Sequence, residues 1–248
     1  MNFKLVLIIM ILIGITSLFI WRYYKDIQLI KTVTSAKRGE PSERDTILRL
    51  LKMDVNPRAI FHDCYIRKSS GTYTQVDLIV ATSQGLLVFE IKDYSGWLFG
   101  HYRQKYWTQV LAYGREKHRF FNPIMQNNNH IKAIRENLFH NTNIPIFSII
   151  VFYGNCELKD ITIASDNEYL IYPHEIKRTV KKIMSGNLAK FGDKYEIMNL
   201  LTESVTNGDD PYIIYSQRNT ASIASRNKPQ SSYYYSFNPL SLLKRWSR

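Results

Sequence analysis

Cysteine is nearly absent: two residues in 248, Cys64 and Cys156, with no CxxC pair and no Cys/His cluster. That excludes a zinc site of the usual spacing and asks for no disulfide framework. Two free thiols in a reducing compartment is the simplest account. Internal repeats at roughly 20–50-residue spacing are missing too, which excludes solenoid and propeller architectures. Acidic residues are outnumbered, 21 Asp and Glu against 33 Lys and Arg, for a net charge of +12. Such a surplus favours anionic partners, nucleic acid or anionic lipid, although a merely solvated basic surface carries the same charge.

Charge vanishes altogether from Leu5 to Trp21, LVLIIMILIGITSLFIW. As a helix this run spans about 25 Å, near the lower limit for a bilayer core. Its end, Phe19-Ile20-Trp21, offers no small-x-small cleavage site, so it reads as an uncleaved anchor rather than a signal peptide. Trp21, Tyr23 and Tyr24 suit the interfacial belt. Arg22, Lys25, Lys31, Lys37 and Arg38 follow the run, whereas only Lys4 and the terminal amine precede it. The positive-inside rule therefore predicts an inner (plasma) membrane protein with its N-terminus outside and its bulk cytoplasmic.

The expected organisation is an anchor at 1–25, a juxtamembrane linker at 26–38, an α/β core at 39–140, the rest of the same domain at 141–205 and a basic tail at 206–248. From Ser216 the chain holds six Lys and Arg, no Asp or Glu, and many Ser, Asn and Gln, which predicts disorder. Tyr233-Tyr234-Tyr235 and Leu240–Trp246 in that tail suit a membrane surface or stacked bases, or no partner at all.

Within the core, Ser42 followed by Asp45 predicts a capped helix with Ile47, Leu50 and Leu51 as its apolar stripe. Strands are expected at 59–66, 73–81 and 86–92, with Ser83-Gln84-Gly85 turning between the last two. A short hairpin is expected to start at 97–100. Asn122-Pro123 opens a helix bearing Ile124, Ile131, Ile134 and Leu138 on one face. Ile146–Tyr153 reads as a strand buried on both faces, with short strands at 161–164 and 169–172 and helices at 174–184 and 194–204 after it. This order predicts a mixed sheet flanked by helices.

The triplet Glu-x-Lys occurs at Glu90-Lys92, Glu157-Lys159 and Glu175-Lys177. Only the first closes an apolar strand, GLLVFEIK. Residues two apart on a strand share a face, so Glu90 and Lys92 project together, and two charges there are costly without partners. Asp77, inside QVDLIV, is brought towards Glu90 once the turn folds the two strands together. A divalent cation relieves repulsion between two carboxylates; hard oxygen donors select Mg2+ or Mn2+, which activate water against a phosphate. Lys92 beside them would orient that water and neutralise developing charge. The alternative is a structural salt-bridge cluster at a sheet end. Glu43, one turn before Ile47, faces the core and either joins the cation through water or simply favours the helix dipole. Gln126, in the first turn of the later helix, either bonds a phosphate or the attacking water or is a surface amide.

The stretches KRGEPSER (37–44), TQVDLIVATSQGLLVFEIKDYSG (74–96), Gly100 with Trp107, and FNPIMQNNNHI (121–131), in this order, resemble the nuclease-related domain (NERD) family. The resemblance covers about 100 residues, 39–138. That family is similar to the PD-(D/E)xK nucleases, whose core is restriction-endonuclease-like. The likeness implies Asp77, Glu90 and Lys92 as the active-site trio, with supporting roles for Glu43 and Gln126. Val76 stands where the pattern has proline, without chemical consequence.

The expectation is thus a membrane-anchored, Mg2+- or Mn2+-dependent nuclease acting on nucleic acid, DNA before RNA. Asp77, Glu90 and the Ile91 carbonyl would hold the metal. The rival readings are a non-catalytic, membrane-tethered nucleic-acid-binding module and a scaffold protein.

Overall fold

A computed structural model describes residues 3–35 and 38–217. Helix α1 (Phe3–Ile30) carries the uncharged run and is the one helix among the described residues long and apolar enough to cross a membrane, judged by length and composition. Its apolar side chains from Leu7 to Trp21 lie bare, contacting nothing in the fold. Part of the juxtamembrane linker expected at 26–38 is ordered against the core. The helix runs on to Ile30, Asp26 pairs with Lys52 at 2.7 Å, and Leu29 and Val33 pack against the core. Apolar side chains at 29 and 33, one turn apart, dock this end.

Helix α2 (Pro41–Leu51) starts earlier than the Ser42 pattern predicts. Glu40 is the extended N-cap and Pro41 the first helical residue, because proline's fixed φ is preset for that position. Strands β1 (Ile60–Arg67), β2 (Tyr73–Thr82) and β3 (Gly85–Asp93) form an antiparallel meander. Three more strands follow: β4 (Gly96–His101), β5 (Tyr106–Leu111) and β6 (Glu116–Phe121). Then come α3 (Pro123–Glu136), β7 (Ile146–Tyr153), β8 (Cys156–Thr162) and β9 (Glu168–Ile171), and finally α4 (Ile176–Met184) and α5 (Lys194–Asn207). Residues 211–217 are helical as well, with Ile213 buried, so the folded body reaches beyond 205. The remainder of the predicted tail, with its tyrosine triplet, lies outside the described residues.

The fold is mixed α/β, but with two mixed sheets where one was expected. The first is ordered β1-β2-β3-β7-β9 and the second β6-β5-β4-β8. β3 and β7 run parallel, and both bury both faces, as the unbroken apolar run of β7 predicts. One face of the first sheet packs on α2 and α4 through Leu87, Phe89, Ile91, Ile176 and Val180. The other packs on α3 and α5 through Leu86, Val88, Ile134 and Leu201. The second sheet closes on fully buried Trp107, which stacks near-parallel to Phe152.

Gly100 lies against the Trp107 ring, and a Cβ there would sit within the indole's van der Waals envelope. Gly100→Ala is expected to cost about 1–3 kcal/mol, the usual range for overpacking. Chemical denaturation checks it: the midpoint falls while the slope of the transition stays unchanged.

Candidate active site

Asp77 sits where the sheet breaks. The β1–β2 register skips the Asp63/Asp77 position, and Asp63 has φ +55°. This left-handed residue rotates the strands. Ile60 and Val80 lie on the α2 side while Phe61 and Ile79 lie on the α3 side, yet beyond the break Cys64 and Val76 take the α3 side. The β2–β3 ladder likewise ends at Leu78 opposite Phe89, one step short of Asp77 opposite Glu90. In place of a backbone acceptor, Asp77 Oδ2 accepts the Ile91 amide at 2.7 Å. Asp63 is fixed by Arg38 Nε at 2.9 Å and Gln75 Nε2 at 2.7 Å.

Glu90 and Lys92 share a face, as the strand period requires, with Lys92 Nζ 2.5 Å from Glu90 Oε1. Glu90 is buried, 1% exposed, and its other oxygen accepts from His130 Nε2 of α3 at 3.0 Å. Oε1 has no well-directed hydrogen bond; its contact with Lys92 is an ion pair. On the far side of the sheet, Glu43 Oε2 meets His62 Nε2 at 2.8 Å, and His62 Nδ1 lies 2.8 Å from the Thr34 hydroxyl. His130 repeats the arrangement, its Nδ1 lying 2.8 Å from the Thr74 hydroxyl.

Charge at the centre is finely opposed. Burial, then the charge of Glu90, holds the Asp77 carboxyl well above its ordinary value; Lys92 pulls the other way and Glu43 pushes further up. For Glu90, burial also pushes up, but Lys92 and His130 together outweigh it and the carboxyl ends below its ordinary value. Lys92 is depressed by burial, more than offset by Glu90 and Asp77, so its ammonium is held above the usual range. Burial also raises the Tyr94 hydroxyl, which feels both Lys92 and Glu90.

Asp77, Glu90 and Lys92 are therefore within one electrostatic neighbourhood, and Glu43 contributes to it from α2. Gln126 is half-buried one turn before His130 and takes no part in these hydrogen bonds. Ile91 meets the site through its amide, which donates to Asp77 Oδ2. His62, His130 and their threonines were not singled out from the sequence. The usable signal was polar residues at apolar positions: Asn127 and His130 lie on the buried stripe of α3, and His62 lies within an apolar strand.

Asp77 and Glu90 offer oxygen donors of the kind a hard divalent cation takes, with Glu90 Oε1 meeting Lys92 Nζ and the Glu90 charge raising Asp77. Among the described residues no three His, Cys, Asp or Glu side chains form a group that could hold a metal ion. Both cysteines are free, and burial pushes the Cys64 thiol up to about 12.

A family model described as a nuclease-related domain matches residues 38–153. An uncharacterized protein of Bacillus anthracis is 30% identical over 144 residues, covering 58% of this chain and 66% of that protein. The match thus spans just under two thirds of the relative's length. No solved structure matches the chain.

Proposed function

We propose, from the match of residues 38–153 to the nuclease-related domain model, that the chain is a Mg2+- or Mn2+-dependent phosphodiesterase acting on nucleic acid, with DNA the favoured substrate. The observation that carries the reading is the frustrated pair at the sheet break. Burial and the charge of Glu90 raise Asp77's cost of ionising, and a cation between the two carboxylates would relieve it. When bound, that cation would activate water and stabilise charge on the phosphate.

Asp77 and Glu90 would hold it, with the Ile91 carbonyl as a third oxygen donor. The Ile91 amide fixes the Asp77 carboxylate through Oδ2. Lys92 is the counter-charge of Glu90. Its ammonium would also stabilise charge on a scissile phosphate. Gln126 stands half-buried in the first turn of α3, and its side-chain amide would bond a phosphate oxygen or the attacking water. The net charge of +12 supplies long-range attraction for a polyanion.

The membrane part of the reading rests on α1. A bare apolar helix face of this length is not tolerated by a protein in water, and a bilayer covers it. Trp21, Tyr23 and Tyr24, all exposed, then lie at the lipid–water boundary, with Lys25 over the Trp21 ring. The basic flank places the domain on the cytoplasmic side.

Full-length protein in detergent micelles is expected to cleave linear or plasmid DNA with Mg2+ and to stop on chelation. Glu90→Ala should lower the rate by about 10²–10⁴-fold, the usual span for a chemical group acting in the transition state. Tight DNA binding without cleavage in either Mg2+ or Mn2+ would instead favour a non-catalytic binding module.

A further inference from the structure

Two buried Thr–His–carboxylate chains approach the sheet break from opposite faces. Thr74–His130–Glu90 reaches it from α3, and Thr34–His62–Glu43 from α2. All four ionisable members are buried: Glu90 1%, His62 2%, His130 5% and Glu43 7% exposed. A carboxylate only accepts, so in each chain Nε2 carries the proton that it shares with the oxygen. Nδ1 then faces a hydroxyl that serves as donor or acceptor. Each ring is thereby fixed at both nitrogens, and each carboxylate is fixed in rotation by its ring.

Neither arrangement is needed to solvate a histidine; an exposed position would do that at no cost. Their expense lies in burying two carboxylates, and both carboxylates raise the same third one, Asp77. The backbone conforms to the second chain as well. Gly39, at φ +69°, covers the Glu43–His62 pair so closely that a Cβ would strike both side chains. Arg44 Nη1 donates to the Gly39 carbonyl. Arg38 fastens the same strap to Asp63, to the Val205 carbonyl and to Asp209.

We propose that His130 and His62 are positioning residues for the cation site. His130 aims Glu90 as a direct ligand, and His62 with Thr34 aims Glu43 as an indirect one acting through water. This deepens the nuclease reading and rests on it. Outer partners of metal ligands commonly set affinity within about 10–100-fold, because they fix ligand orientation before the ion arrives. A second consequence is that Thr34, just past the end of α1, belongs to the site, so the segment behind the anchor helix is wired to the acidic cluster.

Mn2+ binding to the full chain in micelles, followed by loss of the free-ion electron paramagnetic resonance signal, tests this without relying on turnover. His130→Leu is expected to weaken Mn2+ about 10–100-fold and His62→Leu about tenfold. His130→Gln and His62→Gln, whose amide N–H replaces Nε2–H, should return affinity to within about threefold of the unmodified protein. A merely structural histidine would change the melting temperature and leave Mn2+ affinity alone. Leucine variants that fold and bind Mn2+ as tightly as the unmodified chain overturn the proposal. Should they not fold, Thr74→Val and Thr34→Val carry the test: a several-fold loss supports the proposal and an unchanged affinity overturns it. If the unmodified chain binds no Mn2+, the nuclease reading falls and takes this one with it. If it binds and the variants match it, only the positioning role falls.

Discussion

Asp77→Asn is expected to raise the melting temperature of the metal-free protein at neutral pH while abolishing cleavage. An unfolded aspartate ionises near 3.8, whereas burial and the charge of Glu90 make the folded one keep its proton to higher pH. The stability this group contributes is therefore complete below the unfolded value and lost as pH rises through the folded one. Asparagine ends that loss, because it carries no charge and its carbonyl still accepts the Ile91 amide. The expected gain is about 1–3 kcal/mol, the range for relieving an ill-satisfied buried polar group. That corresponds to about 2–4 °C for each kcal/mol in a chain of this size. Glu90 has the opposite sign: its pKa is lowered, so its contribution is present above the ordinary 4.5 and lost as pH falls through the folded value. Calorimetry across pH, without and with Mg2+, reads both. Mg2+ should stabilise the unmodified protein and leave the asparagine variant unmoved. An Asp77→Asn protein that melts lower, or that still cuts, would remove the frustration argument.

Lys92→Met has the converse profile. Removing the ammonium leaves Glu90 charged and 1% exposed, held by His130 alone. Breaking a buried pair from one side costs about 3–5 kcal/mol, because the partner stays desolvated. Mg2+ replaces the lost positive charge, so the variant's melting temperature should climb more steeply with Mg2+ than that of the unmodified chain. Lys92→Met with Glu90→Gln should recover most of the stability, since neither charge remains. Cleavage should fall by about 10²–10³-fold for Lys92→Met even at saturating Mg2+, as for loss of one charge-stabilising donor. A variant as stable as the parent in chelator would mean that Lys92 is no counter-charge for Glu90.

What could be read from the residues alone follows the strength of their periodicity. Glu90 and Lys92 were placed on one face because a strand alternates strictly, and the Ser83-Gln84-Gly85 turn set the neighbour that carries Asp77. The length of β7 and its burial on both faces followed from its unbroken apolar run. The second sheet did not show itself. β6 reads Glu-Lys-His-Arg-Phe-Phe, with four polar residues and no alternation, and it forms because β5 pairs with it over Trp107. The extent of α1 was underestimated because charges at Arg22, Lys25 and Asp26 mark the end of a membrane run but not the end of a helix. Asp63 with its left-handed backbone has no signature in IFHDCYI, although it is the reason the ladder opens beside Asp77. A histidine in an apolar element most often reads as packing, and only the coordinates reveal that His62 and His130 each meet a carboxylate.

Helix α1 enters the body with no flexible hinge between Trp21 and the docked Leu29. At 1.5 Å per residue this leaves a stem of about 12 Å above the lipid. On the proposed reading, with α1 in a bilayer, the domain would be a fixture on a floor. Its encounters with polymer would then be confined to a thin layer, so its rate would follow how much nucleic acid lies along or threads through that surface, not how much is dissolved in the volume above it.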